Sequence, residues 1–100
     1  MQGYDDKRGF RRVPIDTPAV ANLIDGRQVH GRCIDISASG LSLIMPDTIA
    51  CGESLVVEVA SAGGIPPLEA EVRVLRCEEP GVEVKDADHY HWGCVIDKVR

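Results

Sequence analysis

The side chains best suited to bind an anion are four basic residues near the start of the chain. The stretch KRGFRR contains Lys7, Arg8, Arg11 and Arg12, which are four of the eleven basic residues in the 100-residue sequence. Arg8 and Arg12 form an RxxxR spacing, and Arg11 adds a further guanidinium. A guanidinium can bind two phosphate oxygens at once or lie flat on an aromatic base. The stretch could therefore hold a small anion, although a basic tail is more often simply solvated.

A second group of polar residues follows in the sequence DISASG. It contains Asp35, Ser37 and Gly40 in a D-x-S-x-x-G arrangement. Aspartate and serine before a glycine often bond to neighbouring backbone groups, and they then form the turn at the end of a strand. The same carboxylate and hydroxyl are also groups that can hold a ligand. Taken alone, the segment favours the turn.

The elements that must position these residues are predicted to be β-strands, because apolar residues recur with a period of two almost everywhere. The predicted strands cover residues 17–24, 29–37, 41–46, 53–61, 68–79 and 91–99. Between the first two strands, the pair Asp25-Gly26 predicts a type I′ hairpin turn. No segment shows a convincing amphipathic helical pattern.

Strict alternation assigns a face to each strand residue. In the second strand, Asp35 shares a face with Val29, Gly31 and Cys33, and the opposite face carries His30, Arg32, Ile34 and Ile36. In the fifth strand, one face carries Leu68, Ala70, Val72, Val74 and Arg76, and the other carries Glu69, Glu71, Arg73, Leu75 and Cys77.

Six strands joined by short turns in one domain predict an all-β fold, a small six-stranded antiparallel β-barrel. Closure of the barrel would remove exposed sheet edges. We expect residues 1–12 to form a flexible basic arm carrying the RxxxR spacing, and residues 13–100 to form the barrel.

The two polar groups and the strand pattern together resemble the PilZ domain family, whose members bind the bacterial second messenger cyclic di-GMP. The resemblance rests on RxxxR directly before Val13-Pro14 and on D-x-S-x-x-G at a predicted strand end. It extends to WGCVI at 92–96, which is similar to the closing strand of the family. Two departures are Ile96, where an aromatic residue is commoner, and Ser39-Gly40 in place of two glycines.

The resemblance implies that cyclic di-GMP is bound by Arg8, Arg11, Arg12, Asp35, Ser37 and Gly40. The arginines would hold the dianion, and Asp35 would accept hydrogen bonds from N1–H and the amino group of guanine, a donor pair that adenine lacks. The Ser37 hydroxyl would reach a base or a phosphate. Gly40 would permit a positive φ and a close approach of the backbone to the ligand.

The resemblance also implies a receptor that changes conformation and regulates an unidentified downstream protein, with no enzyme activity and no cofactor besides the ligand. With nothing fused to the barrel, the signal would pass through another protein or through a homo-oligomer. A first alternative is a protein-interaction barrel that binds no nucleotide. A second is a metal-binding module built on His89, His91 and Cys94, because two histidines two apart share a strand face.

Composition argues against several other classes of protein. The net charge is −5, and only four residues are aromatic, so we expect no general binding of DNA or RNA. No apolar run is long enough to span a bilayer, and the start of the chain lacks the apolar region of a secretory signal. Four widely spaced cysteines are typical of reduced thiols, and we expect a cytoplasmic protein with no membrane contact.

Overall fold

The computed structural model of the chain describes residues 12–62, 64–78 and 89–100. Its regular structure consists of six strands: β1 (Val13–Leu23), β2 (Gln28–Ile36), β3 (Gly40–Met45), β4 (Ser54–Val59), β5 (Leu68–Glu78) and β6 (Tyr90–Val99). All six predicted strands are present, and β1 begins earlier than expected. Within the described residues, no helix is long and apolar enough to cross a bilayer.

The strands close into an antiparallel barrel, as predicted. Their order around the barrel is β1-β2-β3-β6-β5-β4, and the barrel closes because β1 also pairs with β4, from Ala19 opposite Val59 to Leu23 opposite Leu55. Each strand therefore has a neighbour on both sides, and its backbone donors and acceptors are paired along most of its length.

The inner faces of all six strands form one apolar core. Its largest fully buried side chain is Trp92 of β6, whose indole N–H donates to the Asp47 carbonyl at 2.9 Å. The hydrogen bond satisfies the only polar atom of this side chain. The buried hydrophobic residues are Ala19, Ala21, Val29, Cys33, Leu41, Leu43, Met45, Leu55, Val57, Val59, Ala70, Val72, Val74, Trp92 and Cys94.

A β-bulge interrupts the alternation of β2 between Cys33 and Asp35. The extra residue shifts the positions that follow, so that Ile36 packs against the core as Cys33 does. Asp35 pairs with Ser42, which stands between two core leucines of β3 and therefore belongs to the outer face. The strict alternation expected from the sequence, with Asp35 beside Cys33 and Ile36 on the opposite face, was wrong at this end of the strand.

The pairing of β5 with β6 has a similar irregularity between Val74 and Arg76. Val74 is buried, Leu75 and Arg76 are both exposed, and Cys77 packs against the core. The prediction that Arg76 shares the inner face with Val74, and that Cys77 lies opposite, was therefore wrong. The irregularity keeps a guanidinium out of the core, where its desolvation would be costly.

The turn between β1 and β2 also differs from the prediction. Leu23 N–H donates to the Arg27 carbonyl at 2.8 Å, and Gly26 N–H donates to the Leu23 carbonyl at 3.0 Å. Gly26 has a φ of 95°, whereas none of the described non-glycine residues has a positive φ. A type I′ turn would need a positive φ at Asp25 as well, so the loop is a three-residue type I turn completed by a left-handed glycine.

The four cysteines are free thiols in different environments. Cys51 is exposed in the turn before β4, whereas Cys33 and Cys94 are buried in the core. Burial disfavours the thiolate, and it raises the pKa of Cys33 to about 11 and that of Cys94 to about 12. Both buried thiols are therefore neutral at physiological pH and slow to react.

We expect a maleimide at about pH 8 to label Cys51 first and to leave Cys33 and Cys94 unlabelled in the native protein, because the thiolate is the reactive species. Peptide mapping by mass spectrometry measures the labelling at each site, and the denatured protein serves as the control in which all four cysteines react. Labelling of Cys94 as fast as Cys51 would contradict a closed core.

Candidate ligand-binding site

The start of β1 lies beside the end of β2, because the two strands are antiparallel. Val13 pairs with Ile36 and Pro14 with Asp35. This register brings Arg12, directly before β1, against the DISASG segment. The Arg12 guanidinium donates from Nη1 to Oδ1 of Asp35 at 2.6 Å, and the two side chains remain 55% and 25% exposed. One residue from each polar group of the sequence thus meets in a single solvent-accessible ion pair.

Bulges in both strands determine where Asp35 points. The register of β1 against β2 shifts between Pro14 and Thr17, and that of β2 against β3 shifts between Cys33 and Asp35. The Cys33 thiol, on the core side, donates to the Asp35 backbone carbonyl at 3.4 Å. Bulges commonly redirect a side chain at the end of a barrel strand. Here they direct the Asp35 carboxylate outward to Arg12.

The Ser37 hydroxyl holds the turn that joins β2 to β3. Its Oγ accepts hydrogen bonds from the backbone N–H of Ser39 at 3.3 Å and of Gly40 at 3.2 Å. The Ser37 N–H donates to the Gly40 carbonyl at 2.8 Å and closes the same turn. The turn-forming role considered for this segment is therefore realised, and a ligand contact of Ser37 stays a prediction.

Gly40 is required for a different reason from the one expected. It does not have a positive φ, since the described glycines that do are Gly26, Gly52 and Gly64. A Cβ at Gly40 would instead collide with the backbone carbonyl oxygen of Cys94 on β6. Gly40 thus allows β3 and β6 to approach closely directly below the turn.

The structure brings together Arg12, Asp35, Ser37 and Gly40 at one end of the barrel. The other two predicted ligand residues, Arg8 and Arg11, lie outside the described residues, as does most of the predicted arm 1–12. The pairing of Pro14 with Asp35 explains why β1 begins before the predicted strand.

Sequence reasoning missed a second arginine on the same surface, Arg76 of β5. A Cβ built on Gly93 of β6 would lie 3.2 Å from Nη2 and 3.4 Å from Cζ of Arg76, so the guanidinium lies across the glycine backbone. The Arg76 side chain is 60% exposed, and its Nε is 3.5 Å from Oε2 of Glu78. The sequence contained one sign of this position. Strict alternation placed Arg76 on the apolar face of β5, where a charged side chain is implausible.

The residues proposed for a metal site do not form one. His91 and Cys94 are three positions apart on β6, and they therefore face opposite sides of the sheet, with Cys94 in the core. Among the described residues, no three His, Cys, Asp or Glu side chains are grouped so that they could hold a metal. His91 instead lines an apolar outer groove of about 490 Å³, together with His30, Gly31, Arg32, Ile44, Pro46, His89 and Tyr90.

Comparisons with known proteins agree with this architecture. The PilZ domain family matches residues 6–98. Among solved structures, the PilZ domain with c-di-GMP of YcgR from Escherichia coli is similar with a TM-score of 0.70 and 13% identity, over 88% of this chain and 76% of that one. The Bacillus subtilis inhibitor of motility, MotI/DgrA, is similar with a TM-score of 0.69 and 14% identity.

The match to the Bacillus protein covers 91% of this chain but only 43% of that chain, so the present chain spans less than half of its length. At these identities the two structures show a shared fold. A search of curated proteins found no match.

We expect Gly40→Ala to lower the free energy of unfolding by about 1–3 kcal/mol, because the added methyl group meets a backbone carbonyl that cannot move without disturbing β6. Chemical denaturation measures the change. Ala38→Ser, which adds one atom at an exposed position of the same turn, is the matched control. Unchanged stability in Gly40→Ala would show that β3 and β6 are further apart than the structure places them.

Proposed function

The chain belongs to the PilZ domain family, and we propose that it is a receptor for cyclic di-GMP. The observation that supports the proposal is the contact between Arg12 and Asp35, which joins one residue of RxxxR to one residue of D-x-S-x-x-G. A structural neighbour, the YcgR PilZ domain, was solved with c-di-GMP. We propose Arg8, Arg11, Arg12, Asp35, Ser37 and Gly40 as the ligand-binding residues.

In the proposed site, a carboxylate and several guanidinium groups recognise different parts of the ligand. The Asp35 carboxylate has acceptors for the N1–H and the amino group of a guanine, a pattern of donors that adenine does not present. The Arg12 guanidinium can bind phosphate oxygens or the O6 and N7 acceptors of guanine, and it can stack on a base. Arg8 precedes Arg12 in the RxxxR spacing, and Arg8 and Arg11 would supply further positive charge to bind the dianion.

Without ligand, Arg12 and Asp35 neutralise one another. The ligand must replace this ion pair by a guanine on Asp35 and a phosphate or base on Arg12. Because both side chains are partly exposed, the pair itself contributes only about 0–1 kcal/mol to stability. Breaking the ion pair therefore costs little free energy, and variants of either residue should remain folded.

The proposed output is a change in the arm that a partner protein recognises. Closure of residues 1–12 over the bound ligand would present a new surface next to the turn between β2 and β3. PilZ domains are binding and adaptor domains, and we assign no catalytic step to the chain. The ligand is an intracellular messenger, so we propose that the chain acts in the cytoplasm.

We expect Arg12→Ala to weaken the binding of cyclic di-GMP roughly ten- to a hundredfold, because the substitution removes one charged hydrogen-bonding group. Isothermal calorimetry measures the affinity, and its stoichiometry separates one ligand from a stacked pair. The matched control is Arg27→Ala, because Arg27 is also an exposed, ion-paired arginine but lies at the opposite end of the β1–β2 hairpin.

Lack of binding by the wild-type protein would contradict the proposal, and would favour the alternative of a protein-interaction barrel that binds no nucleotide. Equal affinity of wild type and Arg12→Ala would remove Arg12 from the site.

We expect Asp35→Asn to reduce the preference for cyclic di-GMP over cyclic di-AMP. The amide keeps one acceptor oxygen but places donors against the donors of guanine, so the affinity for cyclic di-GMP should fall roughly tenfold or more. Competition titrations with both dinucleotides measure the ratio. Asp97→Asn is the control, since Asp97 is an exposed carboxylate paired with Arg73 elsewhere on the barrel. An unchanged ratio would show that Asp35 does not recognise guanine.

A further inference from the structure

A row of directly opposed residues crosses the outer surface of the barrel from Asp35 to Arg76. Asp35 pairs with Ser42, Ser42 with Gly93, and Gly93 with Arg76, so that the row spans β2, β3, β6 and β5. Neighbouring strands are about 4.8 Å apart, which places the Asp35 and Arg76 backbones roughly 14 Å from one another. The two positions between them carry a hydroxymethyl group and a hydrogen atom. Ser42 is only 4% exposed and Gly93 is buried, so the two positions are not themselves open surface, but neither places a large side chain between Asp35 and Arg76.

The guanidinium of Arg76 extends from its end of the row back toward Asp35. Gly93 lies one strand closer to Asp35 than Arg76 does, and the guanidinium lies across it, with Nη2, Cζ and Nε at 3.2, 3.4 and 3.5 Å from the position of a Cβ. The nearest three atoms to that position all belong to the Arg76 side chain. The absence of a side chain at Gly93 is thus what allows the guanidinium to lie flat on the sheet.

Arg76 is held loosely by its acidic neighbour. Its Nε is 3.5 Å from Oε2 of Glu78, and both side chains are more than half exposed. An ion pair of this length and exposure contributes little, so an incoming phosphate can replace the carboxylate. Glu78 also lies 3.9 Å from Nδ1 of His91, and it can keep that contact when Arg76 turns to a ligand.

We propose that Arg76 is a further ligand-binding residue, which contacts the half of the cyclic dinucleotide that is remote from Arg12 and Asp35. The inference rests on the proposed function. Cyclic di-GMP carries two phosphates and two guanines on a ring, and contacts from Arg12 and Asp35 reach only the half of the ligand that lies next to them. Arg76 supplies a planar cation at the other end, suited to a phosphate or to the face of the second guanine.

Calorimetry with cyclic di-GMP on the full chain tests this assignment. Arg76→Ala should weaken binding roughly ten- to a hundredfold, and Arg76→Lys should be intermediate, because lysine keeps the charge but not the flat, forked donor group. The matched control is Arg73→Ala on the same strand, an exposed arginine that pairs with Asp97 and lies off the row. We expect the control to bind within about twofold of the wild type.

Gly93→Ala tests whether the position of the Arg76 guanidinium across Gly93 matters for binding. The added methyl group displaces only the flexible end of the Arg76 side chain, so the variant should fold and should weaken binding. In the Arg76→Ala background the same change should have no further effect, because there is no guanidinium left to displace.

The outcomes separate the two proposals. Wild-type binding with an unchanged affinity in Arg76→Ala would overturn the role of Arg76 and leave the proposed receptor function intact. Absence of binding by the wild type would overturn both. Equal effects of Gly93→Ala with and without Arg76 would show that the glycine acts on the ligand directly, and would also overturn the inference.

Discussion

The antiparallel pairing of β1 with β2, including the bulges within it, is the constraint on which the candidate site depends. Because side chains alternate between faces, a shift of one residue moves a side chain from the surface to the core. The bulge after Cys33 makes this shift locally and places Asp35 outside while Ile36 stays inside. The pairing of Pro14 with Asp35 then brings Arg12 within hydrogen-bonding distance. The site is thus a consequence of strand register as much as of residue type.

Close approach of the backbones fixes β3 at both of its ends, at Gly40 next to the candidate site and at Ile44 near the opposite end of the strand. A Cβ at Gly31 would collide with the carbonyl oxygen of Ile44, and one at Gly40 would collide with that of Cys94. Both collisions are with backbone atoms, so β3 can fit between β2 and β6 only with glycine at these positions. The turn held by Ser37 rests on this narrow spacing, and Ser39 reinforces it by accepting a hydrogen bond from Ile96 N–H at 2.8 Å.

Charge on the barrel is arranged in local pairs rather than in a basic field. Several arginines among the described residues face a carboxylate, as in Arg32 with Asp16, Arg73 with Asp97 and Arg100 with Glu69 and Glu71. With a net charge of −5, the chain as a whole repels a nucleic acid backbone. A small dianion differs from such a polymer because it can enter one site and replace individual carboxylates there. This distinction agrees with a receptor for a small nucleotide, and it favours selectivity through local contacts.

The sequence by itself determined the all-β class, the six strands and the closed barrel, because the alternation of apolar residues follows from burying one face of each strand. It also singled out Arg12 and Asp35 as candidate site residues, through the resemblance of the RxxxR and D-x-S-x-x-G spacings to a known family. It could not reveal the three-residue turn at Gly26, the outward position of Asp35 or the location of Arg76. These depend on bulges, and an extra residue in a strand becomes visible only when the partner strand sets the register. The role of Gly40 was likewise decided by tertiary structure, since its neighbour, Cys94, is distant in sequence.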